Sequence, residues 1–424
     1  MRLLLLCPHF EPDLHAATGE VMTRLVHSLA DRGHEIDVVT SLPWYRGHTV
    51  HEGWRGRPWR TEVASHGTII RVWPFPVDKN NIPARALGFG GFTTLVAGAA
   101  LTTERPDIVM GMSPPIFLGD AAWLAAKRFR VPFVFNVQDI FPDVAVDLGA
   151  LNNERVIAVA QAHERSLYRR ADAVTVLSTD QQRNVQNKLL RADETPVSDG
   201  NETVESGKVR VIHNFADTDR VRVVDRDTPY RAEHGLIGKQ VVMYSGNVGL
   251  SQSFDLVRAA ADRFADRPSV QFVINGEGAG RPEVERWAAT RPNVTVADFA
   301  PREGVSDVLG AADLHLILLK RGLAQSSTPS KMYGILAAAR PVLASIDEGS
   351  EVELTIESAR AGRAVPPDNT EAFLAALEEM LADPAALEQM GRNGRDHLAE
   401  SFSPAAQAEA FDDLFAELIN AGAS

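Results

Sequence analysis

Cysteine is nearly absent from this sequence, because its 424 residues contain only Cys7. A disulfide framework and a cysteine-based metal site are therefore excluded, and a reducing, cytoplasmic setting is the natural expectation.

Positive charge is also scarce: 43 lysines and arginines against 56 aspartates and glutamates give a formal net charge of −13. General nucleic-acid binding needs a strongly basic surface. We therefore predict no nucleic-acid partner, and we predict no metal or cofactor.

Long hydrophobic runs are scarce as well. The run Leu3–Leu6 is too short for the core of a secretion signal, and it predicts a buried first strand. The most hydrophobic stretch, Leu87–Thr103, is uncharged and has seventeen residues including four glycines, at the lower end of the length that spans a membrane. Three alternatives stay open for it: a helix lying on a membrane surface, which we favour, a buried helix, and a true span.

Short β-rich runs alternate with amphipathic segments of helical length throughout the chain, which is typical of parallel sheets covered by helices on both faces. In the first half, strands are predicted near Leu3–Leu6, Ile36–Thr40, Thr68–Trp73, Ile108–Met110, Phe133–Val137, Ala173–Leu177 and Val209–Ile212. In the second half, they are predicted near Val241–Ser245, Gln271–Asn275, Val294–Ala297, Leu314–Leu319, Val342–Ser345 and Gly362–Val365.

We therefore predict an α/β protein with two doubly wound Rossmann-like domains. The predicted boundaries are residues 1–214 for the first domain, 215–240 for a charged linker, 241–400 for the second domain and 401–424 for a C-terminal helix that packs back. Residues 191–208 are polar and acidic, and they predict a surface loop.

The segment Leu42–Arg60 is read as a second loop, with Trp44, Tyr45 and two further tryptophans beside four arginines. Aromatic and basic side chains together suggest recognition of an anionic or sugar-like ligand. The alternative is a loop that folds back and packs its tryptophans.

In doubly wound sheets, ligands bind beyond the carboxyl ends of the strands. The segment Ala16–Glu20 after the first strand lacks the GxGxxG spacing of a dinucleotide site, which counts against a dehydrogenase. Asp139 follows the fifth predicted strand, where a carboxylate can hydrogen-bond a polyhydroxylated ligand. Its alternative role is to cap a turn.

Glycine turns follow two strands of the predicted second sheet. Gly246 and Gly249 follow one strand, and Gly276 and Gly278 follow the next. Glycine lets a backbone approach a ligand closely, and such turns offer N–H groups to phosphate. Two turns at equivalent positions predict a phosphate site more strongly than one turn would.

The strongest predicted anion site is Thr328-Pro329-Ser330-Lys331, read as the start of a helix that runs to Ala339. Thr328 suits the N-cap and Pro329 suits the first helical position. A helix N-terminus offers unpaired N–H groups and about half a positive charge. Because a lysine in the first turn opposes the helix dipole, Lys331 is expected to bind an anion such as a diphosphate. The alternative is a solvated lysine.

Seven segments together resemble a known family. They are Leu29–Thr40 (LADRGHEIDVVT), Val137–Asp143 (VQDIFPD), Ala171–Ser178 (ADAVTVLS), Val211–Asn214 (VIHN), Tyr244–Gly249 (YSGNVG), Ala311–Leu316 (AADLHL) and Pro329–Lys331 (PSK). In this order the chain resembles the retaining glycosyltransferases of family 4, and within them the L-fucosamine transferase and colanic-acid-type subgroup of bacterial surface polysaccharide synthesis. The resemblance implies the GT-B fold, with two Rossmann-like domains facing across a cleft.

The resemblance also implies roles for individual residues. The second domain would hold the donor, with the base near Phe299 and the diphosphate near Gly246, Asn247, Gly276, Ser330 and Lys331. The acceptor would contact the first domain near Phe10, Thr18, Gly19, Trp44 and Tyr45. Asp139 and Lys331 would be the catalytic residues. Transfer would retain the anomeric configuration without a metal, because phosphate stabilisation replaces a cation.

The chain departs from the family pattern at the donor site. Asn247 and Gln252 stand where the family carries an arginine and a lysine, and Ser326 and Gly334 stand where it carries paired glutamates. Glu351 is the candidate replacement for donor contacts. Lys331, together with Lys320 or Arg321, would have to balance more of the diphosphate charge.

We therefore predict a glycosyltransferase that moves a hexose-type sugar from a UDP-sugar to a lipid-linked polysaccharide precursor. Its partners would be the nucleotide sugar, a glycan or polyprenyl-diphosphate-linked acceptor, and a membrane surface contacted through residues 87–103. Two alternatives stay open: a nucleotide-sugar epimerase or phosphorylase on the same fold, and a non-catalytic nucleotide-sugar-binding partner.

Overall fold

The computed structural model describes the chain except residues 15–16, 46–48, 77–81, 148, 191–206, 217, 219, 300–301, 325–328 and 423–424. The described chain divides into two compact units. Unit 1 comprises Met1–His213 together with Pro404–Ser424, and unit 2 comprises Asn214–Ser403. Most of the predicted surface loop at 191–208 lies outside the described residues.

Unit 1 is built on an eight-stranded sheet with the order β3-β4-β2-β1-β5-β6-β7-β8. Its strands are β1 (Arg2–Leu6), β2 (Glu35–Ser41), β3 (Trp59–Ala64), β4 (Gly67–Val72), β5 (Ile108–Ser113), β6 (Phe133–Val137), β7 (Ala173–Val176) and β8 (Val209–Val211). Its helices are α1 (Ala17–Asp31), α2 (Ile82–Ala100), α3 (Leu118–Phe129), α4 (Asp143–Asp147), α5 (Glu154–Arg170), α6 (Thr179–Leu189) and α15 (Pro404–Gly422). All strand pairs are parallel except β3 with β4.

Unit 2 is built on a six-stranded parallel sheet with the order β11-β10-β9-β12-β13-β14. Its strands are β9 (Gln240–Ser245), β10 (Val270–Asn275), β11 (Val294–Ala297), β12 (Leu314–Leu318), β13 (Val342–Ser345) and β14 (Gly362–Val365). Its helices are α7 (Pro229–Glu233), α8 (Phe254–Arg263), α9 (Arg281–Ala288), α10 (Val305–Gly310), α11 (Lys331–Ala337), α12 (Glu351–Ser358), α13 (Thr370–Ala382) and α14 (Pro384–Ser401), with a 3₁₀ turn at Arg302–Gly304.

The first strand is buried, as the sequence predicts, because Leu3–Leu6 have no exposed surface. The apolar stretch Leu87–Thr103 coincides largely with α2. Phe92 and Val96 of this helix pack in the core of unit 1, while Leu87 is 79% exposed. Among the described helices, none is both long and apolar enough to cross a membrane.

The segment interpreted as a linker contributes packed structure to unit 2. Tyr230 and Leu236 are buried, and the Arg231 Nη2 donates to the Asp313 Oδ2 at 2.6 Å. At the other end of the chain, α15 is grouped with unit 1. Its Asp412 pairs with Arg32 and His34, at 3.0 and 2.9 Å, beside the turn that follows α1.

One strand of unit 1 is absent from the sequence prediction. β3 begins at Trp59, inside the segment read as a loop, and it pairs antiparallel with β4 at the edge of the sheet. Its side chains are exposed or half-buried, so it lacks the apolar run by which the other strands were identified. The loop interpretation of Leu42–Arg60 is therefore wrong for Trp59 and Arg60.

Candidate functional site

The glycine turns after β9 and β10 lie against each other in unit 2. The Gly246 N–H donates to the Asn275 carbonyl at 3.0 Å, and the Val248 N–H donates to the Glu277 carbonyl at 2.8 Å. A Cβ on Gly276 would lie 1.9 Å from the Gly246 carbonyl oxygen, so only glycine permits this approach. The two turns therefore form one backbone surface at the carboxyl ends of neighbouring strands, as the sequence predicts for a ligand site.

Lys331 lies over this surface. Its Nζ donates to the Tyr244 hydroxyl at 2.8 Å and stands 4.4 Å from the centre of the tyrosine ring. A Cβ on Gly246 would lie 3.0 Å from the Lys331 Cε. The Tyr244 hydroxyl in turn donates to the Asn247 carbonyl at 2.6 Å. The Lys331 side chain is thereby fixed against the turn that contains Gly246 and Asn247.

Burial changes the acidity of this pair. It lowers the pKa of Lys331 from its ordinary value to about 8, because the ammonium loses water without gaining a carboxylate partner among the described residues. Burial also raises the pKa of Tyr244, which therefore stays neutral. A cation held by a neutral hydroxyl keeps its charge available to an anion.

The helix that follows differs from the prediction. α11 begins at Lys331 and has seven residues, ending before Ala339, which takes a φ of 54°. Ser330 is helical and makes no capping side-chain hydrogen bond, and Thr328, the predicted N-cap, lies outside the described residues. The predicted helix through Ala339 is therefore too long. The site depends on the Lys331 side chain and the glycine turns more than on a helix terminus.

The other predicted donor residues surround the turns. Asn247 is exposed, with its side-chain amide beside Gly249 and Gly278. Phe299 is 49% exposed and its ring edge would lie 3.4 Å from a Cβ on Gly276. Ser330 is exposed directly before Lys331.

Glu351 and the two basic residues after β12 are placed differently. Glu351 starts α12, and its charge contributes, after burial, to the raised pKa of Tyr333 in α11. The Arg321 guanidinium donates to the Pro367 carbonyl at 3.1 Å, so it is engaged within the fold. Lys320 has an exposed side chain, and its N–H donates to the Ser251 carbonyl.

In unit 1, Asp139 is half-buried directly after β6. Polar bonds hold its neighbours: the Gln138 Nε2 donates to the Asn136 Oδ1 at 2.9 Å, and the Gln181 Nε2 donates to the Gln138 carbonyl at 3.2 Å. The Asn136 amide donates to the Thr175 hydroxyl at 2.9 Å and is buried. Asn136 is therefore structural, and Asp139 is the polar group nearest the surface.

The predicted acceptor residues cluster at the carboxyl ends of β1 and β2. Phe10 is fully buried with its ring edge against His66, and Thr18 is half-buried in the first turn of α1. A Cβ on Gly19 would lie 2.6 Å from the Asp13 carbonyl oxygen. Gly19 therefore lets α1 pack closely on the loop that follows β1, and Phe10 contributes to the core.

A buried carboxylate that sequence reasoning missed organises this cluster. The Asp13 Oδ2 accepts the N–H groups of Trp44 and Tyr45 at 3.0 and 3.1 Å. The same oxygen lies 3.4 Å from the His9 Nδ1, and the Tyr45 ring stands 5.1 Å from the imidazole. Burial opposes ionisation of Asp13, but the bonds from His9, Trp44 and Tyr45 outweigh it and hold its pKa below the usual range.

Tyr244 lies in the predicted strand Val241–Ser245 and in the family-like segment Tyr244–Gly249, whereas Asp13 could have been suspected only from its position after the first predicted strand. Neither belongs to a motif spacing that specifies a partner. Among the described residues, no group of three or more histidine, cysteine, aspartate or glutamate side chains is arranged to hold a metal ion.

Comparison with known proteins matches both units to glycosyl transferase models. Residues 17–198 match the model described as glycosyl transferase 4-like domain, and residues 239–383 match glycosyl transferases group 1. The chain is 27% identical over 398 residues to WcaI of Escherichia coli, whose description assigns it as a glycosyl transferase to colanic acid biosynthesis. That alignment covers 91% of this chain and 93% of the relative.

Two solved structures share the fold. Sucrose-phosphate synthase of Thermosynechococcus elongatus is similar with a TM-score of 0.75 at 18% identity, covering 99% of this chain and 100% of that one. HepE of Anabaena, in complex with UDP, is similar with a TM-score of 0.68 at 13% identity, again covering 99% and 100%. The GT-B fold predicted from the sequence is confirmed.

Proposed function

The chain belongs to the glycosyltransferases, with a 4-like domain followed by a group 1 domain, and from this premise we propose that it transfers a hexose-type sugar from a UDP-sugar to a polysaccharide precursor. The acceptor in this proposal is lipid-linked, and the anomeric configuration is retained without a metal. The glycosidic bond to the diphosphate breaks, the sugar passes to an acceptor hydroxyl, and UDP leaves.

The observation that carries the proposal is the position of Lys331 over the turns that contain Gly246 and Gly276. The turns present backbone at strand ends, and the ammonium lies beside them without a carboxylate partner among the described residues. A diphosphate matches this combination, because hydrogen-bond donors and a fixed cation stabilise the charge that develops on a leaving phosphate. Lys331 therefore acts as the electrostatic catalyst, and Asn247, Phe299 and Ser330 line the donor region. Glu351 is assigned to donor contacts by the family resemblance alone.

Two similarities support the substrates. The HepE structure holds UDP, which favours UDP as the nucleotide, and the description of WcaI favours a surface polysaccharide. Retention and metal independence rest on the family 4 resemblance. On the acceptor side we assign Thr18, Trp44 and Tyr45 to acceptor contacts, and Asp139 to a hydroxyl of a sugar.

The proposal also includes contact with a membrane surface. The exposed side of α2 presents Leu87 at 79% exposure, and Leu101 just after the helix is 40% exposed. A lipid-linked acceptor would be reached from such a surface. Replacement of Leu87 by glutamate should lower co-flotation with lipid vesicles and leave the thermal unfolding midpoint unchanged, since this side chain contributes little to the core.

The decisive test is UDP release from a panel of UDP-sugars, with and without polyprenyl-diphosphate-linked acceptors. Wild-type protein should release UDP only when an acceptor is present. Lys331→Met keeps the aliphatic chain and removes the charge, and it should lower the rate by about two to three powers of ten, as for loss of one transition-state donor. Lys239→Met removes a lysine at the opposite, amino-terminal end of β9 and should retain the wild-type rate.

Each other outcome has a definite meaning. Turnover of a UDP-sugar without acceptor would replace the proposal by an epimerase or phosphorylase. Binding of UDP with every donor left intact across the panel would indicate a non-catalytic partner. Equal rates for the Lys331 and Lys239 variants would remove Lys331 from the chemistry.

A further inference from the structure

A surface cavity of about 610 Å³ in unit 1 is lined by Arg57, Trp59, Arg60, Thr61 and Glu62. We propose that this cavity is an acceptor subsite for a sugar unit that carries an oxyanion, either a carboxylate or a phosphate. The inference rests on the proposed function, because it specifies the charge of the acceptor in that reaction. The binding event itself is independent of transfer.

The cavity lies at the ligand-binding edge of the sheet. β3 runs antiparallel to β4, so its first residue, Trp59, pairs with Val72, the last residue of β4. Val72 in turn pairs with Ser41, the last residue of β2. Trp59 and Arg60 are thereby placed beside the carboxyl ends of parallel strands, where ligands bind in doubly wound sheets.

The charge that faces the cavity is positive. Arg57 is exposed and has no hydrogen-bond or ion-pair partner within the described part of the chain. The Arg60 Nε is buried and also lacks a partner there, while its Nη2 donates to the Gly53 carbonyl at 3.0 Å. Glu62 is the only acidic lining residue, and both its oxygens accept from the Arg71 Nε, at 3.1 and 3.2 Å. Because Arg71 neutralises Glu62, the positive charges of Arg57 and Arg60 remain to be balanced by a ligand.

Arg60 is held on a rigid base, which includes Arg71 and Trp54. Arg71 is 2% exposed, and its Nη2 donates to the Glu11 carbonyl at 2.6 Å, which ties β4 to the loop after β1. The Trp54 ring lies 5.0 Å from the Arg71 guanidinium carbon and 5.1 Å from that of Arg60. A preorganised guanidinium loses little freedom when it binds, and its planar fork suits carboxylate and phosphate oxygens.

The Trp59 side chain indicates what the uncharged part of the ligand is. Trp59 is 37% exposed and offers an apolar face beside Arg57 and Arg60. An apolar surface with a few directed polar groups is the usual form of a small-molecule site. A sugar ring that packs on the indole could place its oxyanion between the two guanidinium groups, whereas a neutral sugar would leave both charges unmatched.

Binding is measured without a UDP-sugar, so the result does not depend on whether the protein transfers a sugar. The probes are methyl β-D-glucuronide for a carboxylate, glucose 6-phosphate for a phosphate, and methyl β-D-glucoside as the neutral match. Binding is followed through the indole N–H signal of Trp59, which is assigned with Trp59→Phe. We expect at least one charged probe to bind about tenfold more tightly than the glucoside, as expected for a charge-assisted contact. The tighter of the two identifies the anion.

Arg57→Gln should lower the affinity of the charged probe by about tenfold. Its matched control is Arg55→Gln, an exposed arginine of the same segment that does not line the cavity and donates to the Val50 carbonyl. This control should keep the wild-type affinity. Equal binding of charged and neutral probes, or an equal loss in the two variants, would overturn the proposal.

Discussion

The Lys331 ammonium donates to the Tyr244 hydroxyl at 2.8 Å and lies 4.4 Å from the centre of the same ring. The tyrosine is fully buried and its hydroxyl is already committed to the Asn247 carbonyl. The partner that fixes the lysine is therefore neutral and rigid, unlike the carboxylate that usually accompanies a buried cation. The pKa of Lys331, about 8, follows from this arrangement.

The affinity for UDP should consequently fall as the pH rises from 7 to 9. Because the pKa of Lys331 is lowered to about 8, the ammonium is mostly charged at pH 7 and mostly neutral at pH 9. A contact that needs the charge should then weaken by roughly tenfold across that range. Isothermal titration calorimetry with UDP measures the change directly.

Lys331→Met is the control for this pH dependence. It should bind UDP more weakly at pH 7, by roughly 1–3 kcal/mol for a lost charge-assisted hydrogen bond, and its affinity should not change up to pH 9. If the variant and the wild-type protein lose affinity in parallel between pH 7 and 9, another group is responsible for the titration.

Much of this site was predictable because it depends on local chemistry. Glycines after two apolar runs predict turns at strand ends, and parallel strands bring those ends to one edge of a sheet. The partner of Lys331 was not predictable, because Tyr244 and Lys331 are 87 positions apart and the sequence between them carries no signal for a side-chain contact. Likewise, nothing in the sequence indicates that Asp13 accepts backbone N–H groups from residues 44 and 45.

The strand positions show the same division between local and tertiary causes. Phe133–Val137 and Val342–Ser345 were predicted with their observed bounds, because both are mainly apolar and every residue in them is buried. β3 was missed because an edge strand can expose most of its side chains and therefore needs no apolar run. Its pairing with β4 determines its conformation, and that pairing is a tertiary interaction.

Gly276→Ala should destabilise unit 2 and abolish UDP binding. The added Cβ would lie 1.9 Å from the Gly246 carbonyl oxygen, and the φ of 152° is one that other residues rarely adopt. Forced separation of packed groups costs about 1–3 kcal/mol, and the separation would widen the turns below Lys331. Gly334→Ala lies inside α11, and its Cβ would make an ordinary 3.6 Å contact with Leu309, so it should unfold at or above the denaturant concentration of the wild type. Chemical denaturation of both variants makes the comparison.

Lys188→Met should strongly destabilise unit 1. The Lys188 Nζ contacts both oxygens of Glu164, at 2.7 and 2.8 Å, and the Asp143 Oδ2 at 2.8 Å. Glu164 has no exposed surface, and burial raises its pKa despite the lysine. Removal of one partner from a buried ion pair costs about 3–5 kcal/mol. Urea unfolding followed by circular dichroism gives the change in the free energy of unfolding.

The pH dependence of that variant tests the cause. Without Lys188 the pKa of Glu164 rises further, and a carboxyl whose folded pKa lies above its unfolded value loses stability as the pH rises through that range. Lys188→Met should therefore be less stable at pH 8 than at pH 5, relative to wild type. In Glu164→Gln/Lys188→Met this difference should largely disappear. A deficit of the single variant that is equal at both pH values would assign the loss to packing.

Asp13→Asn should loosen the region that we assign to the acceptor. The Asp13 Oδ2 accepts two backbone N–H groups and pairs with His9. An amide would lose the negative charge, and its NH2 group would take the place of Oδ1, which is buried without a hydrogen-bond partner among the described residues. A buried group left unsatisfied costs about 1–3 kcal/mol, so the free energy of unfolding should fall by that amount at pH 7. Hydrogen exchange should become faster at Trp44 and Tyr45.

The same substitution has a defined pH dependence. Because the pKa of Asp13 is lowered in the folded protein, its ionised form stabilises the fold above the unfolded pKa, and that stability is lost as the pH falls through the folded pKa. The deficit of Asp13→Asn should therefore be constant from pH 5 to 8 and should shrink below about pH 4, near the ordinary aspartate value. Asp31→Asn, at the exposed end of α1, should show no deficit at any pH. A deficit of Asp13→Asn that persists in acid would mean that shape, and not charge, makes Asp13 necessary for the Trp44–Tyr45 turn.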